Sequence, residues 1–99
     1  MEEVLMEIIA NAGSARSKAM ESIVKVKNGH SELAKNSIEE ANTFLEKAYN
    51  VQTKLIQDEV AGNKTELNLL MVHAQDHLMN AMTVRDLAEE IVEIYERFS

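Results

Sequence analysis

Apolar residues recur along the first 27 positions at steps of three and four. Leu5, Ile8, Ile9, Ala12, Ala19, Ile23 and Val24 form one series, while Glu2, Glu3, Glu7, Lys18, Glu21 and Lys25 fill the positions between. This is the period of an α-helix that buries one face. A second stripe follows in Ala34, Ile38, Ala41, Leu45, Ala48, Val51 and Leu55, with Glu39, Glu40, Glu46, Lys47 and Lys54 turned to water. The third periodic stretch differs. Leu69, Leu70, Met71, Val72, Ala74, Leu78, Met79, Ala81 and Met82 leave no wholly polar face before Thr83, and a helix apolar all round is buried on several sides.

Two glycines divide these stretches. Asn28-Gly29 is followed by His30-Ser31, and Ala61-Gly62-Asn63 by Thr65; each pairs a helix-ending glycine with a helix-starting polar residue. The spacing therefore predicts three helices, roughly 2–27, 31–61 and 65–97, in one domain covering residues 1–99. Gly13 lies inside the first helix, where glycine costs about 1 kcal/mol relative to alanine. Plain helix packing and a close approach by another group both account for it.

Composition reinforces the helical reading. The 99 residues include no proline, three glycines and few aromatics, as long uninterrupted helices require. The fold class is all-α, a three-helix bundle. Helices of 25–30 residues are about 40 Å long at 1.5 Å per residue, so one protomer is a thin rod that cannot enclose the third helix. Leftover apolar surface predicts a homo-oligomer, without choosing between dimer and trimer.

The net charge of −7 argues against nucleic-acid binding, which needs clustered cationic side chains. Cysteine is absent, which excludes thiol catalysis, disulfides and thiolate metal sites. The N-terminal segment is acidic and amphipathic, without the basic start of a signal peptide, and no apolar run reaches membrane-spanning length. The expected location is the cytoplasm, with no membrane insertion.

The candidate chemistry lies inside the most apolar stretch, in His73-Ala74-Gln75-Asp76-His77 and the following Asn80. At about 100° per residue, Asp76, His77 and Asn80 all fall within about 60° of His73 on one helix face. Gln75 projects about 200° away, toward a different helix or a neighbouring subunit. A neutral imidazole nitrogen is nucleophilic near neutral pH, so His73 and His77 both suit phosphoryl or proton transfer. Three readings stay open on spacing alone: transfer chemistry, a polar layer that fixes the register of a noncatalytic helical oligomer or adaptor, and a zinc site on histidines four apart. The inverted zinc-protease pattern fits poorly, because its carboxylate is Asp and the helix offers no third ligand. His30 sits in a turn with no evident partner, and Met71, Met79 and Met82 occur at packing positions.

The run from Leu69 to Met82 closely resembles the active-site helix of the lactose/cellobiose-type enzyme IIA proteins of the sugar phosphotransferase system. Ala12-Gly13-Ser14-Ala15-Arg16-Ser17 resembles that family's first-helix segment, and Gln52-Thr53 a dipeptide of its second. The resemblance spans essentially the whole chain. It implies an antiparallel three-helix protomer assembling as a homotrimer with third helices at the centre. His73 would accept a phosphoryl group from the phosphocarrier HPr and donate it to a cysteine of the cognate enzyme IIB. Asp76 would meet its copies at the threefold axis, their repulsion offset by a divalent cation, Mg²⁺. Gln75 and His77 would line the phosphoryl pocket, which that family's arrangement shares across subunits. The same run looks more like cellobiose or chitobiose members than lactose members, which implies uptake of a β-linked disaccharide.

Overall fold

The computed structural model describes residues 1–99 as three helices, α1 (Glu2–Lys27), α2 (Ser31–Val60) and α3 (Leu69–Arg97), with no strand. Both expected glycine stops occur. Gly29 (φ 82°) and Gly62 (φ 96°) hold the left-handed backbone that other residues adopt at a cost. After them the chain folds back on the helix end: His30 N–H donates to the Lys25 carbonyl at 2.9 Å and Asn63 N–H to the Asp58 carbonyl at 2.8 Å.

The start of α3 corrects the expectation. It begins at Leu69 rather than near Thr65, because Asn68 caps it: its backbone is extended (φ −132°, ψ 176°) and its Oδ1 accepts from Met71 N–H at 2.9 Å. Thr65 is instead half-buried along a cavity of about 290 Å³ beside Leu55 and Met71.

Side-chain pairings fix the register of the bundle. Lys18 meets Glu40 and Lys25 meets Ser37, so α1 and α2 run antiparallel. Lys35–Glu96, Asn42–Arg85 and Gln52–Gln75 zip α2 antiparallel to α3. Gly13 lies against His77 near one end, and Ala19 shares a core cluster with Ala88 further along, so α1 and α3 run in the same direction. α1 packs along both other helices, which touch each other less. The molecule is a rod of 52 × 20 × 15 Å, as helix lengths alone required.

The principal core gathers Leu5, Ile8, Ala12 and Ala15 of α1, Leu45, Ala48 and Leu55 of α2, and Met71, Ala74, Leu78 and Ala81 of α3. Alanines at alternate contact positions let the helices approach closely. Val24, expected in the buried stripe, stands 57% exposed, and Ala15, Ser22 and Val26 take that face instead. The buried hydroxyls are satisfied: Ser22 Oγ donates to the Ala19 carbonyl at 2.6 Å, and Ser37 Oγ accepts from Lys25 Nζ at 2.8 Å.

Charged side chains decorate the rod. Lys18 is held charged by hydrogen bonds to Glu40 and then Glu21, which raise its pKa above the ordinary lysine value. A raised pKa contributes stability below the unfolded value, lost as pH climbs through the folded one. These contacts are therefore complete at neutral pH, and as exposed pairs they add little.

α3 keeps a second apolar stripe that neither α1 nor α2 covers. Leu69, Val72, Met79, Leu87 and Ile94 are exposed by 84, 51, 45, 59 and 55% respectively. Asp76, Thr83 and Glu90 are exposed between them, and the whole series advances in steps of three and four. That is the spacing of a helix seam that packs against another helix.

Two substitutions test this account. Leu78→Ala is expected to destabilise the protein by about 2–5 kcal/mol through lost burial and a residual cavity. Asn68→Ala is expected to cost about 1 kcal/mol through loss of the α3 cap. Both are read from denaturant unfolding at fixed protein concentration.

Candidate functional site

Because α3 is regular through residues 69–97, the polar residues of its first turns are placed by helix geometry alone. They resolve into two pairs, each spaced four apart. His73 and His77 stack with ring centroids 5.7 Å apart and planes 13° from parallel, within the range of an offset aromatic pair. Asn80 Nδ2 donates to Asp76 Oδ2 at 3.3 Å.

The two pairs have different surroundings. His73, Asp76 and Asn80 are exposed, whereas His77 is half-buried between α3 and α1. On the α1 side it meets Gly13: a Cβ there would lie 3.4 Å from His77 Nε2, with no other atom outside the local helix backbone within 4 Å. The His73 imidazole thus projects into solvent from a ring backed by a second ring, which is backed in turn by a helix.

Gln75 lies apart from this cluster, as its angular position required. It is half-buried, and its Oε1 accepts a hydrogen bond from Nε2 of Gln52, a buried residue of α2. Its own Nε2 has only a long contact of 3.9 Å to Met71 Sδ. Within one protomer Gln75 therefore reaches a different helix and not His73. Sequence reasoning gave Gln52 no such role. Its position, 91% buried in an otherwise apolar stripe, was the available signal, since a buried amide needs a partner.

One protomer brings together no group of three histidine, cysteine or carboxylate side chains suited to hold a metal ion. Asp76 offers a carboxylate on the exposed seam, a hard oxygen donor of the kind magnesium and calcium take. Several copies of Asp76 meeting along that seam would furnish such a site, whereas the histidine pair has no third ligand to complete a tetrahedral zinc site.

What this arrangement can do follows from its parts. An exposed imidazole held by stacking is a nucleophile that a large partner can reach. No deep cleft surrounds it, so its substrate is presented on the surface of another molecule rather than enclosed.

Comparison with known proteins agrees with that picture. Residues 3–96 match the family described as "PTS system, Lactose/Cellobiose specific IIA subunit". The lichenan-specific phosphotransferase enzyme IIA component of Bacillus subtilis is 52% identical over 99 residues, covering 100% of this chain and 90% of that protein. Among solved structures, the cellobiose-specific enzyme IIA of Bacillus anthracis superposes with a TM-score of 0.94 at 42% identity, covering 97% of this chain and 88% of that one. The Escherichia coli IIA(chitobiose), solved in complex with HPr, gives a TM-score of 0.85 at 39% identity, covering 98% and 94%.

The Gln52–Gln75 bond makes its own prediction. Gln52→Ala removes the amide that Gln75 faces and is expected to cost about 1–3 kcal/mol, the penalty of a partly buried polar group left unpaired. Thermal unfolding at fixed protomer concentration checks it.

Proposed function

Because the chain belongs to the lactose/cellobiose-specific IIA family of the sugar phosphotransferase system, we propose that its exposed imidazole at His73 is the phosphoryl acceptor. A IIA component is a phosphoryl carrier: here it takes the group from phospho-HPr and passes it to the cysteine of the cognate enzyme IIB. The observation that carries the assignment is that His73 alone among the chain's three histidines is both exposed and aligned by a neighbouring ring. His77 is half-buried, and His30 lies in the turn between α1 and α2 without a comparable ring partner.

In acceptance, an imidazole nitrogen of His73 attacks phosphorus as the donor's bond to phosphorus breaks on the opposite side. In donation, the thiolate of enzyme IIB attacks and His73 departs as imidazole. Both steps are in-line displacements in which positioning and charge stabilisation do most of the work. The formal charge of −7 gives the carrier a field that favours basic docking faces on its partners.

A homotrimer with α3 at its centre fits the seam of Leu69, Val72, Asp76, Met79, Thr83, Leu87, Glu90 and Ile94. About this seam, His73 lies on one flank of α3 and Gln75 on the other. In any cyclic, parallel arrangement of three such helices the first flank of one faces the second flank of the next. Gln75 of a neighbouring protomer would therefore approach the phosphoryl pocket of His73, with His77 lining it from within. Three Asp76 carboxylates on the axis repel one another, and a cation, Mg²⁺ by its preference for oxygen ligands, would offset this; the cation is structural and takes no part in the transfer.

The sugar taken up is a β-linked disaccharide of the cellobiose or chitobiose type. The relatives named for lichenan, cellobiose and N,N'-diacetylchitobiose support this reading.

Incubation with enzyme I, HPr and phosphoenolpyruvate is expected to add one acid-labile phosphoryl group per chain, lost in His73→Ala. Undiminished labelling of that variant would refute the site; no labelling of the unaltered protein would favour a noncatalytic helical adaptor. Asp76→Leu is expected to remain trimeric in the presence of a chelator, since it exchanges three repelling charges for apolar packing. Sedimentation equilibrium reads this, and dissociation to monomers would contradict the axial placement of Asp76.

A further inference from the structure

Gly13 is the one glycine whose backbone does not explain it. Positive φ belongs to Gly29 and Gly62 alone, and Gly13 lies within regular α1, where alanine is the better helix former. Close packing of helix backbones does not explain it either. Within 4 Å of the position a Cβ would take, the sole atom from elsewhere in the fold is Nε2 of His77. A Cβ there would come into van der Waals contact with one thing elsewhere in the fold, the edge of that imidazole.

This ring is also the one on which His73 stacks, at 5.7 Å between centroids and 13° between planes. Position 13 of α1, His77 and His73 therefore lie in a single line that ends at the exposed imidazole. A methyl at position 13 would just touch the His77 ring at 3.4 Å. The γ carbons of a branched side chain would extend toward the space the ring occupies, and the ring on which His73 rests would be displaced.

We propose that Gly13 is a positioning residue of the phosphoryl site: its missing side chain seats the His77 imidazole against α1, and the seated ring aligns His73. The inference rests on the reading of His73 as phosphoryl acceptor. Gly13 touches neither the phosphoryl group nor the acceptor and acts through His77 alone. Its effect belongs to the rate of transfer once the partner is bound, because misplacing a reacting group by about 1 Å costs up to about a hundredfold.

A double-mutant cycle tests this line, with phosphoryl acceptance from phospho-HPr measured in rapid-quench experiments. Gly13→Val is expected to slow acceptance at saturating donor roughly tenfold to a hundredfold, with KM changed less than about threefold, while a trimer of unchanged size persists. In a His77→Ala background the same substitution is expected to change the rate less than about twofold, since the ring it displaces is gone. Equal losses in both backgrounds, or a loss confined to KM, would overturn the proposal; the second outcome would make position 13 part of a docking face. Should Gly13→Val fail to fold, Gly13→Ala decides by NMR. Its new methyl is expected to show a nuclear Overhauser contact to the His77 ring and to shift the ring signals of His73 as well. Absence of that contact, or a shift at His77 with none at His73, would overturn it. If the unaltered protein accepts no phosphoryl group, the carrier reading itself fails, and the NMR result still judges the geometry.

Discussion

Two neighbours cannot satisfy a helix with two apolar faces. α3 buries Met71, Ala74, Leu78, Ala81, Ala88 and Val92 against α1 and α2, yet Leu69, Val72, Met79, Leu87 and Ile94 remain on the outside. A bundle of three helices has no fourth member to cover them. The remaining apolar surface must meet another protein surface, or water at a cost of roughly 25 cal/mol per Å². The seam so formed also sets the carboxylate of Asp76 on it and His73 and Gln75 on its two flanks.

The same constraint separates structure from chemistry along a single helix. One side of α3 is committed to the bundle core and another to the seam, leaving narrow flanks for polar groups. His73 occupies one flank, where it is exposed and backed by His77. Gln75 occupies the other, held by Gln52. Neither flank contains a complete site. A carrier gains from this division, because a surface imidazole is open to two different partners in succession, where a closed pocket would admit neither.

Much of this was legible before any coordinates. The three- and four-residue steps set the number of helices, the two glycine turns set the ends of α1 and α2 within one residue, and the apolar residues on all sides of the helix at 69–82 announced a second apolar face, which α1 and α2 leave exposed. What escaped depends on contacts between helices. Asn68 rather than Thr65 caps α3, and Thr65 instead lines a cavity with Leu55 and Met71, a neighbourhood formed only in the folded bundle. Val24 follows its neighbour Ile23 in the expected stripe yet lies outside, since at about 100° per residue it points roughly opposite the face made by Ala15, Ala19, Ser22 and Val26. The angular position of Gln75 was legible and its partner was not, because Gln52 lies 23 residues earlier on another helix. Gly13 presented the same difficulty: the sequence shows that a side chain is missing but not what fills the space.

On the proposed role of His73 as acceptor, the stacking of the two histidines also bears on where the phosphoryl group would go. The lone pairs of an imidazole lie in the plane of its ring, so a phosphoryl group bonded to nitrogen lies in that plane too. With planes 13° from parallel and one ring set over the other, a nitrogen of His77 faces the side of the His73 ring rather than the far side of its N–P bond. Displacement at phosphorus needs nucleophile and leaving group roughly in line, and the stack denies that line to His77. With His73 in that proposed role, the geometry that holds it steady would also keep the phosphoryl group from migrating inward to the half-buried ring, leaving it on the exposed imidazole.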